Sequence, residues 1–469
     1  MKVFKKISIL FIAICLLFSL SWLASCTNSD EGAAQKNNPP TFAKAVDLAE
    51  YTIVIPAEAG TTVKYAAQNL ASLIREKTGA TLSIVGDDTP LAKKEILIGS
   101  TNRQESQVAV ELGSMQYLLF MENEKIVMQG SGIYVGAACG DFINKYAISY
   151  KGYTKVDAVN VPTDKAPLTY TPYENAKSVI FMIGDGMGEN HVLMAESNGL
   201  DGFVAKEFPF SGESVTRSLS VISGESGATD SAASGTAMST GYKTINGYIG
   251  IDKNGERILN VRELAALSGA KTGVITTDVI TGATPSAYLC HQLSRNDSEE
   301  LTAQIEALVA NGEIDYCKGE VAEELTNELK AALDTLSKDG STFFLMLEEG
   351  LIDKASHSKL EKDAMDYVIR FDDAIEYATQ FALCHPDVAL VVTADHETGK
   401  LLEVPKKTER WPYGYAFRSD AHTNVNVPIY AIGAGTAVFN GVVIENIELA
   451  RFCAKAFSAE PFGQAEPVE

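Results

Sequence analysis

The chain has 469 residues, 46% of them hydrophobic, and a formal net charge of −22. So acidic a surface disfavours nucleic acid as a partner and repels anions at long range, so an anion site would need local positive charge. The length is enough for two domains, each with a core of its own.

At the N-terminus, Lys2, Lys5 and Lys6 precede an apolar run over 7–20 that ends in Leu23-Ala24-Ser25-Cys26. The run is short for a membrane span and is followed by small residues, so it reads as a signal rather than an anchor helix. Its end resembles a bacterial lipobox. That implies cleavage, lipidation of Cys26 and an exported protein held on the cell envelope outside the cytoplasm, with a net charge of −25 once the three lysines are gone. Residues 27–44, with Asn37-Asn38-Pro39-Pro40, read as a tether. Residues 45–157 then read as a small α+β domain. Strands are predicted at Tyr51-Thr52-Ile53-Val54-Ile55-Pro56, Thr81-Leu82-Ser83-Ile84-Val85 and Glu95-Ile96-Leu97-Ile98-Gly99. Helices are predicted over 62–78, where Val63, Ala66, Leu70, Leu73 and Ile74 recur at helical spacing, and over 133–146. The pattern resembles the accessory domain that precedes the catalytic barrel of several glycoside hydrolases, which implies a packing or positioning role, with glycan binding as the alternative. Pro162, Pro167 and Pro172 mark 158–176 as a linker.

Beyond it, three apolar runs each end in a carboxylate. Val179-Ile180-Phe181-Met182-Ile183 leads to Gly184-Asp185-Gly186-Met187-Gly188. Phe343-Phe344-Leu345-Met346-Leu347 leads to Glu348-Glu349-Gly350, with Asp353 and His357 just after. Val388-Ala389-Leu390-Val391-Val392 leads to Thr393-Ala394-Asp395-His396-Glu397. Buried runs separated by helix-like segments predict an α/β domain, a doubly wound, mostly parallel sheet that binds ligands beyond its strands' carboxyl ends. Asp353 and His357 share a helix face and can grip one ion. Asp395-His396 suits a loop, and His422 precedes a further strand at 426–432. Imidazole with carboxylate favours zinc and an all-oxygen set favours magnesium. Taken singly, a strand-end aspartate is usually a helix cap or a turn residue. The weight rests on several of them coinciding at equivalent strand ends.

Between these runs lies Ala228-Thr229-Asp230-Ser231-Ala232-Ala233-Ser234-Gly235-Thr236-Ala237. If Ser231 opens a helix, the helix's positive end faces any anion there. No histidine lies near Ser231 in sequence, so an activating base or metal must come from elsewhere in the chain. The segment 298–338 carries helical periodicity (Leu301, Ile305, Leu308, Val309, then Ala322, Leu325, Leu329, Leu333) and reads as cap or surface helices. Cys139, Cys290, Cys317, Cys384 and Cys453 are odd in number and unpatterned, so at least one stays free.

Gly-Asp-Gly-Met-Gly at 184–188, Thr-Asp-Ser-Ala-Ala-Ser at 229–234, Ile352-Asp353-Lys354 with His357, Thr-Ala-Asp-His-Glu at 393–397 and Ala421-His422-Thr423 occur in the order of the alkaline phosphatase family. On these motifs the region 177–460 resembles that family. The resemblance implies a metal-dependent hydrolase of phosphate monoesters in which Ser231 is transiently phosphorylated. Asp185, Asp395 and His396 would hold the zinc that deprotonates Ser231. Asp353, His357 and His422 would hold a second zinc at the leaving oxygen. Glu348 and Thr284, with Asp185, would hold a magnesium, Arg295 would clamp phosphate, and Lys354 would lie near it. A homodimer is left open by the same resemblance.

Two departures set expectations. Gly282 stands where the family usually has an acidic or histidine side chain, so the third metal site is expected to be weak or to recruit water, and Lys354 to lack its acidic neighbour. Only 52 residues separate Arg295 from Glu348, so the cover over the pocket is expected to be reduced and substrate preference is not inherited. The alternatives are a phosphodiester or sulfate-ester hydrolase on the same fold, or a surface binding protein with an inactive phosphatase module. Arg295 and Lys354 favour a dianionic monoester, and Ser231 together with every proposed zinc ligand argues against inactivity.

Overall fold

The computed structural model describes residues 45–146, 155–157 and 161–465, all within one compact unit. The proposed signal, Cys26 and the tether lie outside them. No described helix is long and apolar enough to cross a membrane.

The N-terminal part contains β1 (Thr52–Ile55), α1 (Thr61–Thr78), β2 (Ile84–Gly86), β3 (Glu95–Ile98), β4 (Gln116–Glu122), β5 (Lys125–Gly130), α2 (Val135–Asp141) and β6 (Leu168–Thr169). They build a six-stranded sheet in the order β2-β1-β3-β5-β4-β6. Its first four strands are parallel, while β4 pairs antiparallel with both β5 and β6. Gly79 takes a left-handed conformation, and its amide caps the end of α1. The helix predicted over 133–146 is divided into a 3-10 turn, α2 and a π turn.

The larger part contains β7 (Ser178–Gly184), α3 (Glu189–Glu196), β8 (Phe210–Val215), α4 (Ser231–Thr240), α5 (Val261–Leu267), β9 (Lys271–Thr276), α6 (Ala283–Leu289), α7 (Ser298–Ala310), β10 (Tyr316–Lys318), α8 (Leu325–Leu336), β11 (Phe343–Glu349), α9 (Leu351–His357), α10 (Glu361–Cys384), β12 (Val388–Thr393), β13 (Val427–Gly433), β14 (Val443–Glu445) and α11 (Ile447–Lys455). Eight strands form one sheet, ordered β10-β9-β11-β7-β12-β13-β8-β14. The strands from β10 to β12 are mutually parallel, and β13 runs against both its neighbours. Every residue of β7, β11 and β12 is buried, which is why these strands read as unbroken apolar runs. Alternation divides them between two cores. Val179, Phe181, Phe344 and Met346 face one layer of helices; Ile180, Met182, Leu345 and Leu347 face the other.

Of the two readings of 298–338, the structure shows surface helices, each with one face buried, and not a cap. The segment adds β10 to the sheet edge beside β9, and Leu325, Leu329, Leu333 and Leu336 of α8 are buried in the core. The helical spacing of those leucines was legible, but the three-residue strand inside the segment carried no pattern.

Helix α10 joins the two parts. Gln380 donates to the Ile133 carbonyl at 3.0 Å, Asn144 donates to the Cys384 carbonyl at 3.2 Å, and Tyr65 donates to Asp373 at 2.7 Å. The Tyr65 and Tyr377 rings meet edge to face, with centroids 5.3 Å apart. A Cβ on Gly140 would lie 2.5 Å from the Leu383 carbonyl oxygen and 3.0 Å from Cys384 Cα, so only glycine lets the helices meet this closely. Gly140→Ala is therefore expected to cost about 1–3 kcal/mol in a denaturant melt. Gly227→Ala, with nothing within 4 Å of the new Cβ, is expected to leave the midpoint in place.

Asp372, also on α10, accepts from the Val204 amide at 2.7 Å. Burial raises its carboxyl from 3.8 to about 7. Between those values the folded chain keeps a proton that the unfolded chain has released, so stability declines as pH rises through that window. The slope from this group is at most about 1.4 kcal/mol per pH unit. Asp372→Asn is expected to flatten that part of the stability-against-pH curve.

Candidate active site

Strand register builds the site. Thr276 of β9 stands beside Glu348 of β11, Glu348 beside Ile183 of β7, and Ile183 beside Thr393 of β12. The four parallel strands thus end in one row, and the loops that follow deliver Asp185, Asp353 and Asp395 to the same edge. Alternation separates the two adjacent glutamates. Glu348 turns toward Thr276 Oγ1 and α6, while Glu349 turns the other way, to a bidentate pair with Arg370 of α10.

Ser231 is the first residue of α4 and is buried. Asp230 caps this helix, its Oδ1 accepting from the Ala233 amide at 3.0 Å. The N-terminal end of α4, positive by its aligned peptide dipoles, therefore sits at the serine. Ser231 Oγ lies 3.2 Å from Nε2 of fully buried His396. The other ring nitrogen of His396 lies 3.2 Å from Thr398 Oγ1, whose hydroxyl donates to Asp353 Oδ1 at 2.5 Å. With that hydroxyl committed to Asp353, His396 Nδ1 donates to it and Nε2 keeps its lone pair toward the serine.

Around Nε2 stand Asp395 Oδ2 at 3.1 Å and Asp185 Oδ1 at 3.7 Å. Both carboxylate oxygens are buried without a hydrogen-bond partner, an arrangement that calls for a cation. Asp395 Oδ1, by contrast, accepts from the Gly186 and His396 amides.

A second cluster adjoins the first. His357 Nδ1 points at the Asp420 carbonyl at 2.6 Å and His422 Nδ1 at the Thr229 carbonyl at 2.8 Å. Their Nε2 atoms face each other 3.0 Å apart, with Asp353 Oδ1 at 3.3 Å and 3.5 Å from them. Two imidazole nitrogens and a carboxylate converging on one point need a proton or a cation between them. Outer nitrogens held by carbonyls are the usual setting of metal-binding histidines. The hydrogen bond it donates to Asp353 raises His357 to about 9, whereas burial, helped by the charge of His357, lowers His422.

The third group lies behind Asp185. Thr284, on α6, donates from Oγ1 to Asp185 Oδ2 at 3.2 Å, and Glu348 adjoins both. Burial, reinforced by the neighbouring carboxylates, pushes Asp185 well above the ordinary carboxylate range. Burial likewise takes Asp395 to about 8 and Glu348 to about 7. Divalent cations fit this donor set: imidazole with carboxylate for the first two clusters, and oxygen alone for the third.

Arg295 reaches the same edge from the loop after α6. Its Nη1 pairs with Asp230 Oδ2 at 3.2 Å, an oxygen that also accepts from the Gly247 amide at 2.9 Å. Lys354 differs from the sequence-based expectation. It does not lack an acidic neighbour, because its Nζ pairs with Asp278 Oδ1. The carboxylate missing at Gly282 comes instead from four residues earlier on the loop. Asp278 follows β9 just as Asp185 follows β7, so the rule that singled out the other aspartates also applies to it. Sequence reasoning likewise missed Thr398 and the anchoring of Arg295 by Asp230, since both depend on contacts between distant segments. His191 is a buried structural histidine, hydrogen-bonded to Ser356 Oγ at 3.0 Å. Among the described residues all five cysteines are free.

Asparagine caps a helix as well as aspartate does but cannot form the ion pair with Arg295. Asp230→Asn is expected to leave the melting temperature within about 2 °C of the parent, since a surface-accessible pair is worth little to stability. Inorganic phosphate, followed by calorimetry, is expected to bind several-fold more weakly.

The family model described as Alkaline phosphatase matches residues 176–326 and 308–413. The chain is 28% identical to alkaline phosphatase 4 of Bacillus subtilis over 300 residues, covering 50% of this chain and 65% of that protein. It is 26% identical to the repressible alkaline phosphatase of Saccharomyces cerevisiae over 329 residues, covering 50% of this chain and 57% of that protein. The chain thus spans less than two thirds of these relatives' length. Among solved structures, alkaline phosphatase from the Antarctic bacterium TAB5 superposes with a TM-score of 0.55 at 27% identity, over 61% of this chain and 99% of that one. A mutant of that protein, solved with Mg bound in its M3 site, gives a TM-score of 0.56 at 26% identity, over 62% of this chain and 100% of that one. With the family model matching half of its length and the solved structures superposing on the same region, the chain belongs to the alkaline phosphatase family.

Proposed function

We propose that the chain hydrolyses phosphate monoesters through a phosphoserine formed on Ser231, releasing inorganic phosphate. The observation that carries this reading is Ser231 Oγ at the head of α4, 3.2 Å from His396 Nε2 and beside two partnerless carboxylate oxygens.

Asp185, Asp395 and His396 would hold one zinc, Asp353, His357 and His422 a second, and Glu348, Thr284 and Asp185 a magnesium. Such ions, when bound, supply the positive charge that makes the serine hydroxyl nucleophilic and offsets charge on the entering and leaving oxygens. The chain's own contribution is positioning. Asp230 fixes the first turn of α4 and so the serine rotor, and its second oxygen aims the Arg295 guanidinium toward the same edge. A planar guanidinium can hold two nonbridging phosphate oxygens at once. Ser231 gives up its hydroxyl proton to solvent, its Oγ attacks phosphorus in line, the bond to the ester oxygen breaks, and the alcohol leaves with a proton taken from solvent. Water then attacks the phosphoserine, which returns the serine hydroxyl and frees phosphate. Arg295 and Lys354 together favour a dianionic monoester over a monoanionic diester.

By the same reading the protein is lipid-anchored through Cys26 on the outer side of the cytoplasmic boundary, and residues 45–157 position the catalytic part. Turnover of a chromogenic phosphate monoester is expected to exceed that of its diester analogue. It is expected to vanish on chelation, return with zinc and magnesium, and fall by at least about 10³-fold in Ser231→Ala. Diester preference, or turnover indifferent to metal, would overturn the reading.

A further inference from the structure

Three observations converge on Asp278. A Cβ built on Gly282 would lie 3.4 Å from Asp278 Oδ2 and 3.0 Å from the Val279 carbonyl, so the Asp278 carboxylate already occupies the direction a side chain at 282 would take. The loop holds it there. The Asp278 amide donates to Thr276 Oγ1 at 3.0 Å, the hydroxyl that itself donates to Glu348. The Asp278 carbonyl accepts from the Glu320 amide at 2.7 Å. Gly350 makes room. A Cβ there would lie 3.0 Å from Asp278 Cβ and 3.3 Å from Glu348 Oε2, so only a residue without a side chain lets these two groups come together.

The two oxygens of Asp278 serve different neighbours. Oδ1 takes Lys354 Nζ and the Val279 amide, the latter at 2.6 Å, while Oδ2 lies against Gly282, two residues before Thr284, and Gly350 leaves the Asp278 side chain next to Glu348. Magnesium keeps several waters even when protein-bound, so a carboxylate facing its site acts through that water shell as readily as by direct contact.

We propose that Asp278 replaces the side chain absent at Gly282. Through Oδ2 it supplies an anionic oxygen to the hydrated magnesium held by Asp185, Thr284 and Glu348, and through Oδ1 it holds Lys354 beside the same site. This rests on the metal assignments of the proposed function. Asp278 is a positioning residue for ion and lysine, contributed by a different loop position from the one the motif marks.

The test is magnesium affinity of the zinc-loaded full chain, read by calorimetry and by the rise in melting temperature with added magnesium, which needs no turnover. Asp278→Asn is expected to weaken magnesium binding about tenfold or more, the range for residues that support a metal's ligands. Gly282→Asp added to Asp278→Asn is expected to recover most of that loss, a gain that a misfolded variant could not show. Gly282→Asp alone is expected to bring no gain, because the Asp278 carboxylate already supplies the negative charge there and repels a second one. Glu348→Gln separates the levels of the argument. If it abolishes magnesium binding while Asp278→Asn leaves it unchanged, the assignment to Asp278 falls and the site stands. If the parent chain binds no magnesium, or Glu348→Gln has no effect, the site itself falls and Asp278 with it.

Discussion

The molecule is organised by the cost of burying carboxylates together. Asp185, Asp353, Asp395 and Glu348 are gathered at one sheet edge, three of them buried and Asp353 nearly so. A charge removed from water is tolerated only when paired, protonated or bound to a cation. Two of these groups answer with carboxyl oxygens that have no partner, and burial, reinforced by the neighbouring carboxylates, takes away their ordinary acidity. The surroundings supply what a buried anion cluster lacks: the positive N-terminal end of α4, three imidazoles with their outer nitrogens tied to carbonyls or a hydroxyl, and Arg295 on its tether to Asp230. A cluster held this way is poor as a stabilising device and well suited to binding ions.

The scaffold makes the clustering possible because parallel strands end in register. The row Thr276, Glu348, Ile183 and Thr393 brings four loops to one place. The two-residue repeat of β11 then assigns its two terminal glutamates to different tasks. Glu348 joins the ion cluster, and Glu349 fastens α10 through Arg370. Moving β11 by one residue against its neighbours would turn both glutamates to the opposite faces and take each from its partners.

Much of this was legible in sequence, for reasons that differ from residue to residue. Fully buried strands betray themselves as unbroken apolar runs, so Asp185, Glu348 and Asp395 were visible as the carboxylates that close them. Asp353 and His357 followed from helical spacing, and Ser231 from its small-residue neighbours. Asp278 closes a strand too, but β9 reads Lys-Thr-Gly-Val-Ile-Thr, and its weak apolar character hid the boundary. The short strand β10 left no signal, because three residues cannot display a period. The tie between Arg295 and Asp230 was illegible in principle: it spans 65 positions and depends on a loop whose path only the folded chain fixes.

The glycine contact between α2 and α10 reaches further than its own packing. Helix α10 carries Arg370 behind the site and Tyr377, Gln380 and Cys384 against the helical layer of the N-terminal part, so one rod touches both. A fragment beginning at β7 would leave the Tyr377 ring, the Gln380 amide and the groove beside Leu383 facing water. The unit expected to fold on its own is therefore larger than the stretch its family motifs delimit. Grafting this catalytic region onto another carrier would mean carrying the small sheet with it, or redesigning one face of a single helix.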